Sequence, residues 1–199
     1  ANQPTDAEPQ AVQWLLVPRH PQRFDEIEQL LWAAGVSVSR RSQWTDGPTP
    51  AMVWLGDSMG EMQMYYGMAD VALLGGSFAP LGGQNLIEAA ACGCPVVMGP
   101  HTFNFAQAAE ASAAAGAALR VADLAEGVEA AVAIATNRER HAAMATAARD
   151  YAQSHRGAAN ATAQIIASVL ESTEGFVNSC FEASILDEDE LRTQHSTPE

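Results

Sequence analysis

Short apolar runs alternate with longer segments of helical periodicity along most of the chain. The run VQWLLVP is short enough for a buried parallel strand, and the apolar positions that follow it recur at helical spacing until Gly35. This alternation predicts an α/β fold with a mostly parallel, doubly wound sheet. Strands are predicted at 12–18, 36–42, 52–56, 70–75, 95–99 and 118–121, with 36–42 an exposed or edge strand. Helices are predicted at 24–34, 60–68, 85–92, 104–116, 124–136, 138–154 and 158–171, with Asp57-Ser58 as the cap of the second and Asp123 as the cap of the fifth.

Four loops that follow predicted strands carry the chemistry-bearing residues. Ligands of open α/β sheets bind beyond the carboxyl ends of the strands, so these loops are expected to share one edge of the fold. They are Pro18-Arg19-His20, Gly56 to Glu61, Gly75 to Glu88, and Gly99-Pro100-His101.

The segment LGGQNLIE, residues 81–88, is the most informative of the four. Gly82 and Gly83 permit close approach of a ligand to the backbone, and Asn85 can cap a helix whose free N–H groups receive an anion. Glu88 would lie in the first turn, where its carboxylate is favourable and can accept hydrogen bonds from a ribose diol. A plain cap is the alternative, since N-x-x-E is related to the capping box.

The other three loops each offer a ligand contact and a structural alternative. Arg19 can clamp a phosphate or carboxylate, or be an exposed surface arginine. The Met59–Glu61 backbone can meet a base or phosphate, or be an ordinary helix start. His101 can donate to a ligand oxygen, or be structural. Arg40 and Arg41 could assist, but their alternating strand predicts a solvent face.

Charge excludes several classes of partner. The formal net charge of the 199 residues is −14, which argues against nucleic-acid binding and against docking on an anionic membrane. An anionic ligand would therefore need local donors. No apolar stretch approaches the ~20 residues of a transmembrane helix, and the N-terminus is polar. The chain by itself is expected to be soluble, cytoplasmic and without direct membrane insertion.

The cysteines and histidines predict no catalytic or metal site. Cys92, Cys94 and Cys180 match neither a redox C-x-x-C nor a zinc pattern, and we interpret them as small residues of a reducing compartment. No nucleophile pairs with a base, and no metal-ligand spacing is present. Residues 1–11 are predicted to be a polar leader, 12–171 a ligand-binding domain, and 172–199 an acidic, mobile tail.

Long motifs in a fixed order resemble one family. The segments VPRHPQRF, RRS, GDSMGEMQMYYGMADVALLGGS and PLGGQNLIEAAACGCPVVMGPHTFNF are similar to the C-terminal domain of bacterial 3-deoxy-D-manno-octulosonic acid (Kdo) transferase. The resemblance covers roughly residues 12–155. It implies the Rossmann-like C-terminal domain of a GT-B glycosyltransferase, which transfers Kdo from CMP-Kdo to a lipid A precursor, lipid IVA.

The resemblance also implies site residues and a mechanism. The reaction would be inverting and metal-independent, with no cofactor beside the donor substrate CMP-Kdo. Gln84 and His101 would be leaving-group or sugar contacts. Glu88 would hold the ribose, and the helix end at Asn85 would face the phosphate. The expected contacts with CMP are Pro18, Arg19, Met59, Gly60, Glu61, Asn85, Leu86, Ile87 and Glu88.

Two departures from the family bear on activity. Gln84 stands where the family usually has a histidine, and it cannot carry that residue's charge. The family also has an N-terminal domain with a membrane anchor, the lipid A pocket and a catalytic Glu base, which these residues do not include. We therefore expect no catalytic residue in this chain, negligible activity for it alone, and the cytoplasmic face of the inner membrane for the full-length family.

Two further hypotheses stay open. One is a nucleotide-binding module, or degenerate fragment, that keeps the fold without catalysis, and Gln84 and the acidic tail support it. The other is a GT-B donor domain for a UDP-sugar, which nucleotide preference would reveal.

Overall fold

The computed structural model describes residues 12–154, 162 and 164–170. The chain divides into two compact units, Ala1–Ser154 and His155–Glu199. In the second unit, residues 162 and 164–170 are helical, and the rest of the helix predicted at 158–171 is not described. The predicted leader and acidic tail, with Cys180, lie outside the described residues, so the domain limits remain predictions.

The described part of the first unit alternates strands with helices. Each predicted element of residues 12–154 has a counterpart, and most are shorter than predicted at one or both ends. The strands are β1 Trp14–Leu16, β2 Val38–Arg40, β3 Val53–Leu55, β4 Ala72–Leu73, β5 Val96–Met98 and β6 Ala118–Arg120, and the helices are α1 Phe24–Ala33, α2 Met62–Met68, α3 Ile87–Ala91, α4 Ala106–Ala114, α5 Leu124–Ala135 and α6 Arg138–Ser154.

Every strand pairing is parallel among the described residues. The hydrogen bonds form two three-stranded sheets, in the orders β1-β3-β2 and β4-β5-β6. Trp14 and Val38 both align with Val53 in the first sheet, and Val96 aligns with Ala72 and Ala118 in the second. The parallel α/β class predicted from the alternation is therefore confirmed. Parallel strands bring the loops after them to the same edge of a sheet.

The core of the second sheet explains the alanine-rich composition of the helices. All three residues of β5 are buried, as its unbroken apolar run predicts. Helix α3 packs against α2 and α6, where Ala90 and Ala148 are at most 1% exposed. Small side chains at this contact let two helices approach closely, which fixes the position of α3 directly after the glycine-rich loop.

Two predicted caps have opposite outcomes. Asp123 caps α5 as predicted, because its carboxylate accepts from the Glu126 N–H at 2.9 Å and Glu126 accepts from the Ala122 N–H. The cap predicted at Asp57-Ser58 is wrong. Helix α2 begins at Met62 without a side-chain cap, since the Asp57 carboxylate is bound to other partners.

No helix within the described ranges is both long and apolar enough to cross a membrane.

Candidate functional site

The loop after β4 and the loop after β5 are joined by backbone hydrogen bonds. The backbone N–H of His101 donates to the Ser77 carbonyl at 2.9 Å, and the backbone N–H of Asn104 donates to the Gly82 carbonyl at 3.1 Å. The Ser77 hydroxyl adds a bond from the Gly99 N–H at 2.9 Å. The two strand ends of the second sheet therefore form one connected surface, as the sequence predicted.

Gly82 is required by a contact within the chain. Its φ of 85° lies in the left-handed region, and a Cβ there would stand 2.7 Å from Phe103 Cε2 and closer still to the Asn104 amide. The sequence predicted that this glycine admits a ligand. The space beside it is instead taken by residues 103 and 104, so that prediction is wrong for Gly82.

We expect Gly82→Ala to destabilise the protein more than Gly35→Ala does. Both glycines have positive φ, 85° and 74°, but a Cβ on Gly35 meets nothing within 4 Å. Alanine in this backbone region costs roughly 1–2 kcal/mol at either site. The crowding at Gly82 should add roughly 1–3 kcal/mol. Urea unfolding of the two variants measures the difference, and equal losses would refute the close contact.

Arg19 and Gln84 meet across two loops that are far apart in sequence. Arg19 Nη1 donates to Gln84 Oε1 at 2.8 Å. Arg19 is exposed at the end of β1, and Pro18 before it is half-buried. The structure therefore places the guanidinium beside the glycine-rich loop. This position fits the predicted anion-binding role, and the side chain is also exposed, as the alternative of a surface arginine expects.

Asn85 and Glu88 hold the start of α3 together. Asn85 Oδ1 accepts from the Ile87 N–H at 3.0 Å, and Asn85 Nδ2 donates to Glu88 Oε1 at 3.0 Å. The helix begins at Ile87, two residues later than predicted, and has five residues, so its dipole is small. Both side chains are partly or fully exposed. An anion here would depend mainly on Arg19, while Glu88 remains accessible to hydroxyl donors.

Helix α2 lies close to this carboxylate. Burial, helped by the charge of Glu88, raises the pKa of Tyr66 to about 12. Cys92 on the same side donates to the Gln63 carbonyl at 3.7 Å. Burial raises the pKa of the Cys94 thiol to about 12 as well, which keeps it neutral and unreactive, in line with its interpretation as a small core residue.

The Met59–Glu61 turn is organised by its own carboxylate. Gly60 has φ 79° and open space beside it, so this glycine does leave room for a ligand. Glu61 Oε1 accepts from Arg41 Nη2 at 2.7 Å, and Glu61 Oε2 accepts from the Ser58 hydroxyl. The Ser58 bond and the Arg41 charge hold the pKa of Glu61 below its ordinary value. The hydrogen bonds found here run to the loop after β2 and not to Arg19.

The two arginines at the end of β2 do not form a solvent face, contrary to prediction. Arg40 is 16% exposed and pairs with Asp57 at 2.6 Å, Asp25 at 2.7 Å and Glu28 at 3.0 Å. Arg41 is 28% exposed and pairs with Glu61. β2 is an edge strand, as predicted, but Arg40 at its end and Arg41 just after it both meet carboxylates of other elements. Their position at the carboxyl end of a parallel strand was the signal that could have found them.

The remaining predicted residues differ in what they can offer a ligand. Leu86 is fully buried and Ile87 is 39% exposed, so Leu86 can contact a ligand through its backbone alone. Met59 is 68% exposed. His101 is half-buried, and its backbone N–H binds the Ser77 carbonyl.

This arrangement can bind an anion and a diol. Arg19 supplies a charged donor fork at Gln84, and Glu88 supplies a charged acceptor in the first turn of α3, which follows the same glycine-rich loop. The described residues contain no group of three or more His, Cys, Asp or Glu that could hold a metal ion.

Comparison with known proteins connects this surface to one family. No protein-family model matches the chain. The 3-deoxy-D-manno-octulosonic acid transferase of Bordetella pertussis is 53% identical over 149 residues, 74% of this chain. That of Haemophilus influenzae is 35% identical over 158 residues. The crystal structure of the C-terminal CMP-Kdo binding domain of WaaA from Acinetobacter baumannii is 31% identical, has a TM-score of 0.65 and aligns over 70% of this chain and 72% of that one.

The chain belongs to the 3-deoxy-D-manno-octulosonic acid transferase family.

Within this Kdo transferase family, the chain corresponds to the C-terminal domain. The resemblance found in the sequence is thereby confirmed, and so is the fold class, the Rossmann-like C-terminal domain of a GT-B glycosyltransferase. The chain spans about a third of the length of the curated relatives it matches, 35% and 37% of the first two. The residues that contact a ligand remain predictions.

Proposed function

We propose that this chain binds the donor CMP-Kdo for a Kdo transferase. The observation that carries the proposal is the Arg19–Gln84 contact, which brings an exposed guanidinium onto the loop that leads into the helix carrying Glu88. A phosphate and a ribose of one nucleotide need such a donor and acceptor side by side. The likeness to a domain described as CMP-Kdo binding supports the same assignment.

Each predicted contact receives a specific role in this proposal. Arg19 would hold the CMP phosphate, and Glu88 would accept from the ribose hydroxyls. The open backbone at Gly60 would meet the base, and Pro18, Met59, Asn85, Leu86 and Ile87 would complete the surface. Gln84 and His101 would lie toward the departing phosphate or the sugar carboxylate. Because Gln84 already binds Arg19, it would act first by orienting the Arg19 guanidinium.

The reaction proposed for the whole transferase is an inverting attack on the anomeric carbon of Kdo without a metal ion. The acceptor would be the lipid A precursor lipid IVA, at the cytoplasmic face of the inner membrane. A general base typically contributes 10²–10⁴-fold to such a step, and we place that base in the N-terminal domain of the family. We therefore propose negligible transferase activity for this chain alone.

The first test is a calorimetric titration of the chain with CMP, with UMP as the competing nucleotide. We expect saturable binding and a preference for CMP. We also expect Glu88→Ala to weaken CMP binding by roughly 10- to 150-fold, because a charge-assisted hydrogen bond contributes about 1.5–3 kcal/mol. Glu129→Ala, which removes the same charge from an exposed position of α5, should leave the affinity unchanged.

Three outcomes would change the proposal. A folded chain that binds neither nucleotide would refute donor binding. Unchanged affinity in Glu88→Ala would remove the ribose role alone. A preference for UMP would favour a UDP-sugar donor.

A second candidate is a nucleotide-binding module without transferase activity. The observation in its favour is the neutral Gln84 bound to Arg19, where a protonated histidine would carry charge. CMP binding with no Kdo transfer, even after the rest of the transferase is joined to this chain, would select this candidate.

A further inference from the structure

A continuous set of contacts leads from the first sheet to the Met59–Glu61 turn. The rings of Trp44 and Trp54 meet edge to face with centroids 5.6 Å apart, and Trp44 Nε1 donates to Ser39 Oγ of β2 at 2.9 Å. The Arg41 guanidinium lies 5.6 Å from the centroid of the Trp44 ring. Trp44, fixed on both sides, therefore holds the plane of the Arg41 guanidinium in place.

The Arg41 guanidinium in turn holds the Glu61 carboxylate in place. Its Nε is buried without a hydrogen-bond partner, while its Nη2 binds Glu61 Oε1 at 2.7 Å. The other carboxylate oxygen accepts from the Ser58 hydroxyl and, at 3.4 Å, from the Tyr65 hydroxyl. Both oxygens of Glu61 are thus engaged within the protein. A ligand hydroxyl would have to displace a charged or hydroxyl donor to reach them.

The backbone of the same turn, unlike the Glu61 carboxylate, is open to a ligand. Gly60 is exposed, has φ 79°, and has no atom within 4 Å of the position of a Cβ. The Glu61 side chain therefore fixes the turn within the protein, while the peptide groups at Gly60 face open space. The side-chain contacts that hold this turn are those of Glu61 with Arg41, Ser58 and Tyr65, because neither Asp57 nor Ser58 caps the helix that follows.

We propose that Arg41 is a positioning residue for the nucleotide: acting through Glu61, it fixes the Met59–Glu61 turn so that the backbone at Gly60 makes the contact. Glu61, named above as a contact, acts through this turn and not by touching the ligand. The inference rests on the proposed donor site and adds a residue that lies outside it. It also assigns the ligand contact at this loop to the backbone N–H and C=O groups of the turn.

The test measures CMP affinity for Arg41→Ala, Glu61→Gln and the double variant. We expect each single variant to weaken binding roughly tenfold, below the ~10²-fold that a full 1 Å misplacement can cost. The double variant should bind no more weakly than the single ones, because both changes break the same ion pair. Arg41→Lys, which keeps the charge, should recover part of the affinity. Arg23→Ala is the matched control, since Arg23 is in an exposed pair with Glu26.

The amide NMR signal of Gly60 distinguishes this inference from the proposed function. In the ligand-free protein, Arg41→Ala should shift or broaden that signal, while Arg23→Ala should not. An unmoved Gly60 signal, or additive losses in the double variant, would overturn the inference. If the wild-type chain binds no CMP but the Gly60 signal responds to Arg41→Ala, donor binding fails and the ion pair's hold on the turn stands.

Discussion

Replacing Arg40 with alanine is expected to lower the free energy of unfolding by about 3–5 kcal/mol, the usual cost of removing one partner from a buried ion pair. Arg40 neutralises Asp57 and Glu28, whose side chains are 1% and 12% exposed. Without it, two carboxylates stay near each other away from water. The free energy of unfolding of a natural domain is about 5–15 kcal/mol in total, so this loss is a large fraction of the stability. Urea unfolding at neutral pH measures it.

Two controls separate the ion pairs from general packing. Arg40→Lys retains a positive charge and should lose less stability than Arg40→Ala. Arg23→Ala, in an exposed pair, should change stability very little. If Arg40→Lys and Arg40→Ala were equally destabilising, the charge would not be the cause.

The effect of Arg40→Ala should shrink in acid. Burial by itself would raise the pKa of Asp57, but hydrogen bonds from Ser42 and the Arg40 charge outweigh it and hold that pKa below the ordinary value of 3.8. The stability contributed by Asp57 is therefore present above pH 3.8 and is lost as the pH falls through the lower pKa of the folded protein. Once Asp57 is protonated, the wild-type and variant curves should converge.

Replacing Arg19 with alanine should weaken CMP binding roughly 10- to 150-fold, because a charge-assisted hydrogen bond to a phosphate contributes about 1.5–3 kcal/mol. Arg19 makes its side-chain hydrogen bond to Gln84 and not to a carboxylate, so its charge is available to an anion. Stability should hardly change, because the side chain is exposed. Calorimetric titration of the variant with CMP measures the loss.

Cytidine provides the sharpest control for Arg19. It has the base and ribose of CMP but no phosphate, so Arg19→Ala should leave its affinity unchanged. Arg140→Ala, which removes the same charge from an exposed position of α6, should affect neither ligand. Equal losses for CMP and cytidine would mean that Arg19 does not hold the phosphate.

Parts of the site could be predicted because they depend on local backbone rules. A strand that ends at a glycine or proline places the next side chains at the carboxyl edge of a parallel sheet, and the loops at Arg19 and Glu88 follow this rule. The cap at Asp123 is local too, since its partner is three residues away. Such features are visible within one short window of the sequence.

Other parts could not be predicted because their partners are distant in the chain. An alternating strand does not show that Arg40 will meet Asp25 and Asp57, 15 and 17 residues away. A glycine does not show whether the space beside it stays open, as at Gly60, or is filled by the chain itself, as at Gly82. The cap predicted at Asp57 is wrong because the buried Asp57 carboxylate binds Ser42, which is 15 residues away in another loop.

The sequence by itself determined the parallel α/β class, the loops that carry the candidate site and the resemblance to Kdo transferases, because periodicity and motif order are properties of neighbouring residues. The tertiary structure alone decided which side chains meet: Arg19 with Gln84, Arg40 with its three carboxylates, and Arg41 with Glu61. Long-range pairs form when packing brings separate strand ends together, and no local pattern encodes that distance.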